Sequence, residues 1–185
     1  MKRFASLIAL PLMLSLAACG GEADTAAEGA ASGEPIAAIP APAGKNWAET
    51  VTKTDKGYYV LGNPEAPIKL VEYASLTCSH CADFAETAFA TIRDKYVASG
   101  RVSFELRNFV REPLDLTASM LTRCGPDESY FALTEQVLAN QADIFTKAQA
   151  MGQQRFEAVL ALPDNQRYVA LAEGTGLTDF FAQRG

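Results

Sequence analysis

Two cysteines separated by two residues, Cys78-Ser79-His80-Cys81, carry the strongest chemical signal in this sequence. Paired thiols at this spacing suit a redox couple: one attacks a disulfide and the other resolves the mixed disulfide that results. Such chemistry needs a turn that leads into a helix. Unpaired backbone N–H groups at a helix start, together with the helix dipole, favour negative charge and so the reactive thiolate. Cys81 then lies about one turn along, within reach of its partner. On this reading Cys78 attacks and Cys81 resolves. Ser79 and His80 occupy the interval, and His80 is the chain's single histidine. A protonated imidazole there would stabilise the Cys78 thiolate further. Stabilising the thiolate stabilises the reduced form, so the disulfide becomes the better oxidant.

Other uses of the pair stay open. A zinc site needs two more Cys or His ligands, and beyond the pair only His80 and Cys124 remain in the region after the N-terminal leader. Copper can be carried on two soft ligands. A plain structural disulfide is the third alternative. Thiol exchange itself calls for no cofactor, and none is expected.

The elements that must position the pair are legible on either side of it. Ile68 to Ala74 (Ile-Lys-Leu-Val-Glu-Tyr-Ala) reads as a strand. A helix is expected from Cys78 to about Ala98, with Phe84, Ala85, Ala88, Phe89, Ile92 and Tyr96 as its apolar stripe and Gly100 closing it. Arg101 to Val110 reads as a second strand. A strand–helix–strand unit of this length implies a parallel crossover. Gly57 to Leu61 reads as a short edge strand before the turn at Gly62-Asn63-Pro64. After Pro113 the spacing turns helical, over Leu114–Cys124, Pro126 to about Ile144, Gln153–Leu162 and Asn165–Ala172. A last short helix is expected to be capped by Thr178.

The chain has 185 residues, 49% of them hydrophobic, which suffices for one domain with a core. A net charge of −6 excludes the basic field that a nucleic-acid partner requires. No run of about 18 apolar residues follows the N-terminus, so no transmembrane helix is expected there. The N-terminus itself is positive at Lys2 and Arg3 and apolar from Phe4 to Leu16, the pattern of a signal peptide. It closes on Leu16-Ala17-Ala18-Cys19, which resembles a bacterial lipobox. Residues 1–19 are therefore read as a lipoprotein leader with Cys19 lipidated. The alternative is ordinary cleavage after small residues. Either reading takes the protein out of the cytosol and into compartments where disulfides persist. The expected location is the periplasm, lipid-anchored to a membrane. Residues 20–46, rich in Ala, Gly, Glu and Pro, are read as a disordered tether of roughly 25–30 Å reach. Residues 47–185 are read as the folded domain.

The stretch Val71-Glu72-Tyr73-Ala74-Ser75-Leu76-Thr77-Cys78-Ser79-His80-Cys81-Ala82, with Gly62-Asn63-Pro64-Glu65-Ala66-Pro67 before it, resembles the active-site region of the DsbA family of bacterial disulfide oxidoreductases. The resemblance implies an α/β thioredoxin-like fold with an inserted helical subdomain. It also implies Cys78 as nucleophile, Cys81 as its partner, and Ser79 where the family most often carries Pro. The implied activity is formation of disulfides in unfolded or partly folded exported proteins, with reoxidation by a membrane redox partner. A reductase or isomerase would use the same residues, and a metal-carrying lipoprotein is the alternative outside that chemistry. Glu72 falls where the family carries an acidic residue beneath the active site. Its strand parity matches Ile68 and Leu70, so it is expected to face inward, titrate high by desolvation and relay a proton for Cys81. Arg107 on the neighbouring strand is its suggested partner. No Thr-Pro strand follows the helices, as the family would have, so the sheet is expected to lack its C-terminal strands and to leave an edge unpaired. Cys124 is either half of a second structural disulfide, as in some relatives, or a buried and inert cysteine.

Overall fold

The computed structural model describes residues 34–184. The leader, Cys19 and the first part of the tether lie outside the described residues.

Four strands form one sheet: β1 (Val51–Lys53), β2 (Tyr59–Gly62), β3 (Ile68–Ala74) and β4 (Val102–Asn108), in the order β1-β2-β4-β3. β1 with β2 and β2 with β4 run antiparallel, whereas β3 and β4 are parallel. The parallel pair is the expected crossover, and the chain between its strands is helical. That helix starts as α1 (Ser79–Phe84) and widens into two π-helical stretches, Ala85–Phe89 and Ile92–Val97. Gly100 closes the segment at φ +72 and donates its N–H to Val97 O at 2.8 Å. Only a residue without Cβ adopts that conformation cheaply.

Six further helices follow: α2 (Pro113–Leu121), α3 (Tyr130–Ala139), α4 (Gln141–Ala150), α5 (Gln153–Leu160), α6 (Asp164–Gly174) and α7 (Leu177–Ala182). The elements make up the α/β fold with a helical insertion that the resemblance implies. Three readings of the elements need correction. The strand at Tyr59–Gly62 is interior, because an unforeseen β1 pairs along its outer side. The helix expected from Pro126 through Ile144 breaks at Asn140 (φ −109, ψ 16), whose side chain donates to Gln136 O at 2.7 Å and ends α3. The last helix is preceded by left-handed Gly176 and already includes Thr178. Among the described residues the outer edge of β3 pairs with no further strand, and Ile68 and Leu70 there are 46% and 37% exposed.

One core lies between the sheet and the helices that cover it. Phe104 of β4 meets Phe89 edge-on at 5.1 Å and Phe131 of α3 at 5.9 Å, while Tyr59 stacks on Tyr130 at 3.9 Å. A second core lies within the helical layer, around Leu114, Val137, Leu138, Ile144, Leu177 and Phe180. Leu76, from the turn after β3, inserts into this second core.

The segment read as a free tether is seated from Ile36 onward. Arg101 Nη1 donates to Ile36 O at 3.2 Å, Ile39 N–H to Ser99 O at 2.9 Å, and Trp47 Nε1 to Ile39 O at 2.9 Å. Low hydrophobicity hid this, because the attachment uses backbone groups and few side chains. A Cβ on Gly100 would meet Ile39 O and the Trp47 ring. Gly100→Ala is expected to destabilise the domain by roughly 1–3 kcal/mol through backbone strain alone. Urea unfolding followed by the fluorescence of Trp47, the chain's single tryptophan, measures it. An unchanged midpoint would mean that neither the turn nor the docked segment is as described.

Candidate active site

β3 ends at Ala74, and the chain turns through Ser75, Leu76 and Thr77 into Cys78, the residue that caps α1. Cys78 keeps an extended backbone (φ −99, ψ 121), and its carbonyl accepts the N–H of Ala82 at 3.1 Å. The helix starts here because the residues after Cys78 adopt helical angles while the turn before it is held from outside.

That turn has little regular backbone pairing of its own. Side chains supply what is missing. Asp115, in the first turn of α2, is 0% exposed. Its carboxylate accepts the Leu76 N–H at 2.9 Å, the Ser75 hydroxyl at 2.6 Å and the Arg111 N–H at 3.0 Å. Gln141, the first residue of α4 and also buried, donates to Leu76 O at 2.8 Å and Cys78 O at 3.0 Å. Neither residue was foreseen from the sequence. Asp115 and Gln141 are separated from Leu76 by 39 and 65 residues, so no local pattern connects them.

The two thiols are free and differ in surroundings. Cys78 is held below the ordinary thiol range, chiefly by the backbone N–H of Cys81, with help from the Cys81 side chain, the His80 N–H and the charge of Arg111. Cys81 is pushed up, first by burial and then by the neighbouring charges of Cys78 and Glu72. It packs at the seam of both cores. A nucleophile is thus favoured at Cys78 and disfavoured at Cys81.

The His80 backbone N–H is among the donors that lower the Cys78 thiol. Its imidazole is 93% exposed, and Nδ1 lies 3.9 Å from the Asp83 carboxylate. Ser79 is exposed beside it. Glu72 does lie on the side of the sheet that α1 covers. It lines a small crevice with Phe84, Phe89, Phe104 and Phe131, and burial raises its pKa from 4.5 to about 7. Arg107 is not its partner. Strand register sets Glu72 opposite Leu106 and Tyr73 opposite Arg107, so Arg107 projects from the other face. There it binds Glu105 at 2.7 Å and the Tyr73 hydroxyl at 2.8 Å. Cys124 is exposed rather than buried, and its Sγ sits 3.4 Å from Met120 O.

Two clefts open beside the Cys78 turn, on either side of Phe145. One, of about 750 Å³, is lined by Ser79, Asp83, Glu86, Glu135 and Leu138. The other, of about 570 Å³, is lined by Thr77, Arg111, Glu112, Leu114 and Phe156. Among the described residues no group of three His, Cys, Asp or Glu side chains is arranged to hold a metal ion. None of the described helices is long and apolar enough to cross a membrane.

Residues 54–177 match the family model described as thioredoxin. A Rickettsia bellii protein with the provisional name protein-disulfide oxidoreductase is 37% identical over 91 residues, which make up 49% of this chain and 35% of that one. The matched region therefore spans about a third of the curated relative. The crystal structure titled protein-disulfide isomerase from Novosphingobium aromaticivorans is 32% identical, with a TM-score of 0.64 over 70% of this chain and 66% of that one. The crystal structure of Wolbachia pipientis alpha-DsbA1 is 29% identical over 67% of this chain and 62% of that one, with a TM-score of 0.45.

Two measurements test the site. Arg111→Gln is expected to raise the Cys78 pKa, read from thiolate absorbance in the ultraviolet, and the rise should shrink as salt is added. A wild-type titration curve would remove Arg111 from the site. The second concerns Glu72. Its charge is costly to bury, so the native state holds a proton that the unfolded chain has already lost between pH 4.5 and about 7. Stability then falls as pH rises through that window. Glu72→Gln is expected to flatten this slope and to be the more stable protein above pH 7. Parallel stability-versus-pH curves for the two proteins would show that Glu72 is solvated.

Proposed function

The chain belongs to the thioredoxin family, and we propose that it is an exported, lipid-anchored thiol–disulfide oxidoreductase that donates the Cys78–Cys81 disulfide to exported proteins. The observation that carries the reading is the asymmetry of the pair: one half-buried thiol lowered by backbone donors at a helix start, the other packed at the seam of two cores and pushed up by burial. Both similar proteins described above with disulfide-oxidoreductase or isomerase names support the same reaction class.

The reaction follows from that asymmetry. A substrate thiolate attacks Cys78 Sγ of the disulfide, since Cys81 is the less accessible sulfur. The Cys78–Cys81 bond breaks, and Cys81 leaves as a thiolate that takes up a proton. Glu72 lies close enough to act on Cys81 and titrates at about 7, so its neutral, protonated form can supply that proton and be left as the carboxylate. A second substrate thiolate then attacks the substrate sulfur of the mixed disulfide. Cys78 leaves as the stabilised thiolate, and a low-pKa thiol leaves fast. Two electrons move from the substrate thiols to the pair, and a membrane redox partner would remove them. The clefts flanking Phe145 offer apolar walls for the polypeptide on which the substrate thiol sits.

The lipobox-like Cys19 and the Ala-, Gly- and Pro-rich tract behind it support an anchor and a periplasmic location. Cys19 acylation is checked by mass spectrometry of the membrane fraction; a Cys19→Ser protein found equally in that fraction would exclude the anchor.

A second reading, an isomerase kept reduced by another partner, is favoured by the similarity to the Novosphingobium chain of that title. The equilibrium of Cys78/Cys81 against a glutathione series separates the two. An oxidase is expected to lie above roughly −200 mV, whereas a potential near roughly −270 mV would exclude it. In either case Cys78→Ser should abolish exchange, and Cys81→Ser should accumulate mixed disulfides. Turnover by Cys78→Ser would overturn the site assignment.

A further inference from the structure

We propose that Gln141, with Asp115, is a positioning residue for Cys78: the two side chains grip the turn before the cysteine from opposite sides and fix where its Sγ stands. The proposal rests on the reading of Cys78 as the attacking thiol.

Leu76 is 1% exposed, and both of its backbone polar groups are taken by side chains from the helical layer. Its N–H goes to Asp115 at 2.9 Å and its carbonyl to Gln141 at 2.8 Å. The same Gln141 nitrogen reaches Cys78 O at 3.0 Å. One amide thus joins the carbonyls on both sides of Thr77. Asp115 adds the Ser75 hydroxyl at 2.6 Å, and Ser75 Oγ in turn accepts the Thr77 N–H at 3.2 Å. Ser75 through Cys78 are therefore held by two residues that lie outside the strand–helix unit carrying the cysteines.

This grip reaches the chemistry through geometry. The Cys78 Sγ is stabilised by backbone N–H groups of Cys81 and His80, whose directions are set once α1 begins. Whether Sγ meets them depends on the backbone angles of Cys78, an extended residue outside the helical ladder. Those angles are held from the carbonyl side by Gln141. A turn released there keeps its sequence and its helix but loses the alignment of sulfur with donors.

Gln141→Met tests the idea, because it keeps the length and volume of the side chain and removes the donor. Ile144→Val, on the same helix and in the core that Leu76 enters, serves as a control that loosens packing while leaving every hydrogen bond to the turn in place. Cys78 thiolate absorbance against pH and the glutathione equilibrium are measured on all three proteins. In Gln141→Met the thiolate is expected to titrate at higher pH than in wild type. The equilibrium should shift toward the disulfide by roughly three- to tenfold. Ile144→Val should leave both readings at wild type. Should Gln141→Met fail to fold, Gln141→Asn, which keeps the amide and shortens its reach, is read the same way. A folded Gln141 variant with a wild-type titration and equilibrium overturns the grip alone. So does an equal shift in Ile144→Val. A wild-type thiol titrating in the ordinary range overturns the nucleophile reading and this proposal together.

Discussion

A buried turn of irregular backbone is the constraint on which this structure depends. Residues 75–77 must leave a strand and enter a helix within three positions, with Ser75 and Leu76 almost fully enclosed. Neither a sheet ladder nor a helix ladder satisfies the polar groups of such a turn, and each one left bare costs roughly 1–3 kcal/mol. The solution is two side chains, one acceptor and one donor, drawn from separate helices. Their placement also settles how α2 and α4 lie, since Asp115 and Gln141 must arrive with their functional groups at a fixed distance from Leu76. Fold and site are answers to the same accounting of backbone groups.

The two cysteines acquire different characters within a single helical turn because they sit on different sides of the chain's entry into the core. Cys78 lies before the first helical residue, where N–H groups converge and solvent is near. Cys81 lies on the inward face, between the aromatic core over the sheet and the apolar core of the helical layer. Desolvation therefore acts on Cys81 more than on Cys78, and the nearby Glu72 carboxyl acts in the same direction. No cofactor is needed to produce the difference. It follows from where one turn of helix meets a packed interior.

Local signals were legible in the sequence, and long-range ones were not. β3 carries a run of β-branched and aromatic residues, and its bounds read from the sequence match the structure. Gly100 was legible because a helix end beside a glycine has a specific backbone meaning. The inward placement of Glu72 was reachable through strand parity, a local rule. Its supposed pairing with Arg107 failed because it needed the register between two strands, and a single-residue difference sends the guanidinium to the opposite face. β1 was missed because three residues make too short a pattern. His80 drew attention by its rarity, and the structure adds to it a backbone N–H toward Cys78 that any non-proline residue would supply. Asp115 and Gln141 carry no local signal that connects them to the cysteines. Only the folded chain brings them to Leu76.

The helical layer is therefore part of the site rather than an addition to a smaller fold. Leu76 makes the case at three points. Its side chain packs among Leu114, Ala118 and Val137, its N–H belongs to α2, and its carbonyl belongs to α4. A strand–helix–strand unit alone would leave that leucine bare and its backbone unpaired, two residues before Cys78. The sheet positions α1 against Phe104 and its neighbours, and the insertion positions the residue from which α1 departs. Substitutions that shift α4 relative to β3 would act on Cys78 without touching it, and those that merely thin the layer's core would not. The distinction separates positional coupling from stability, and it follows from hydrogen bonds being directional where apolar packing is not.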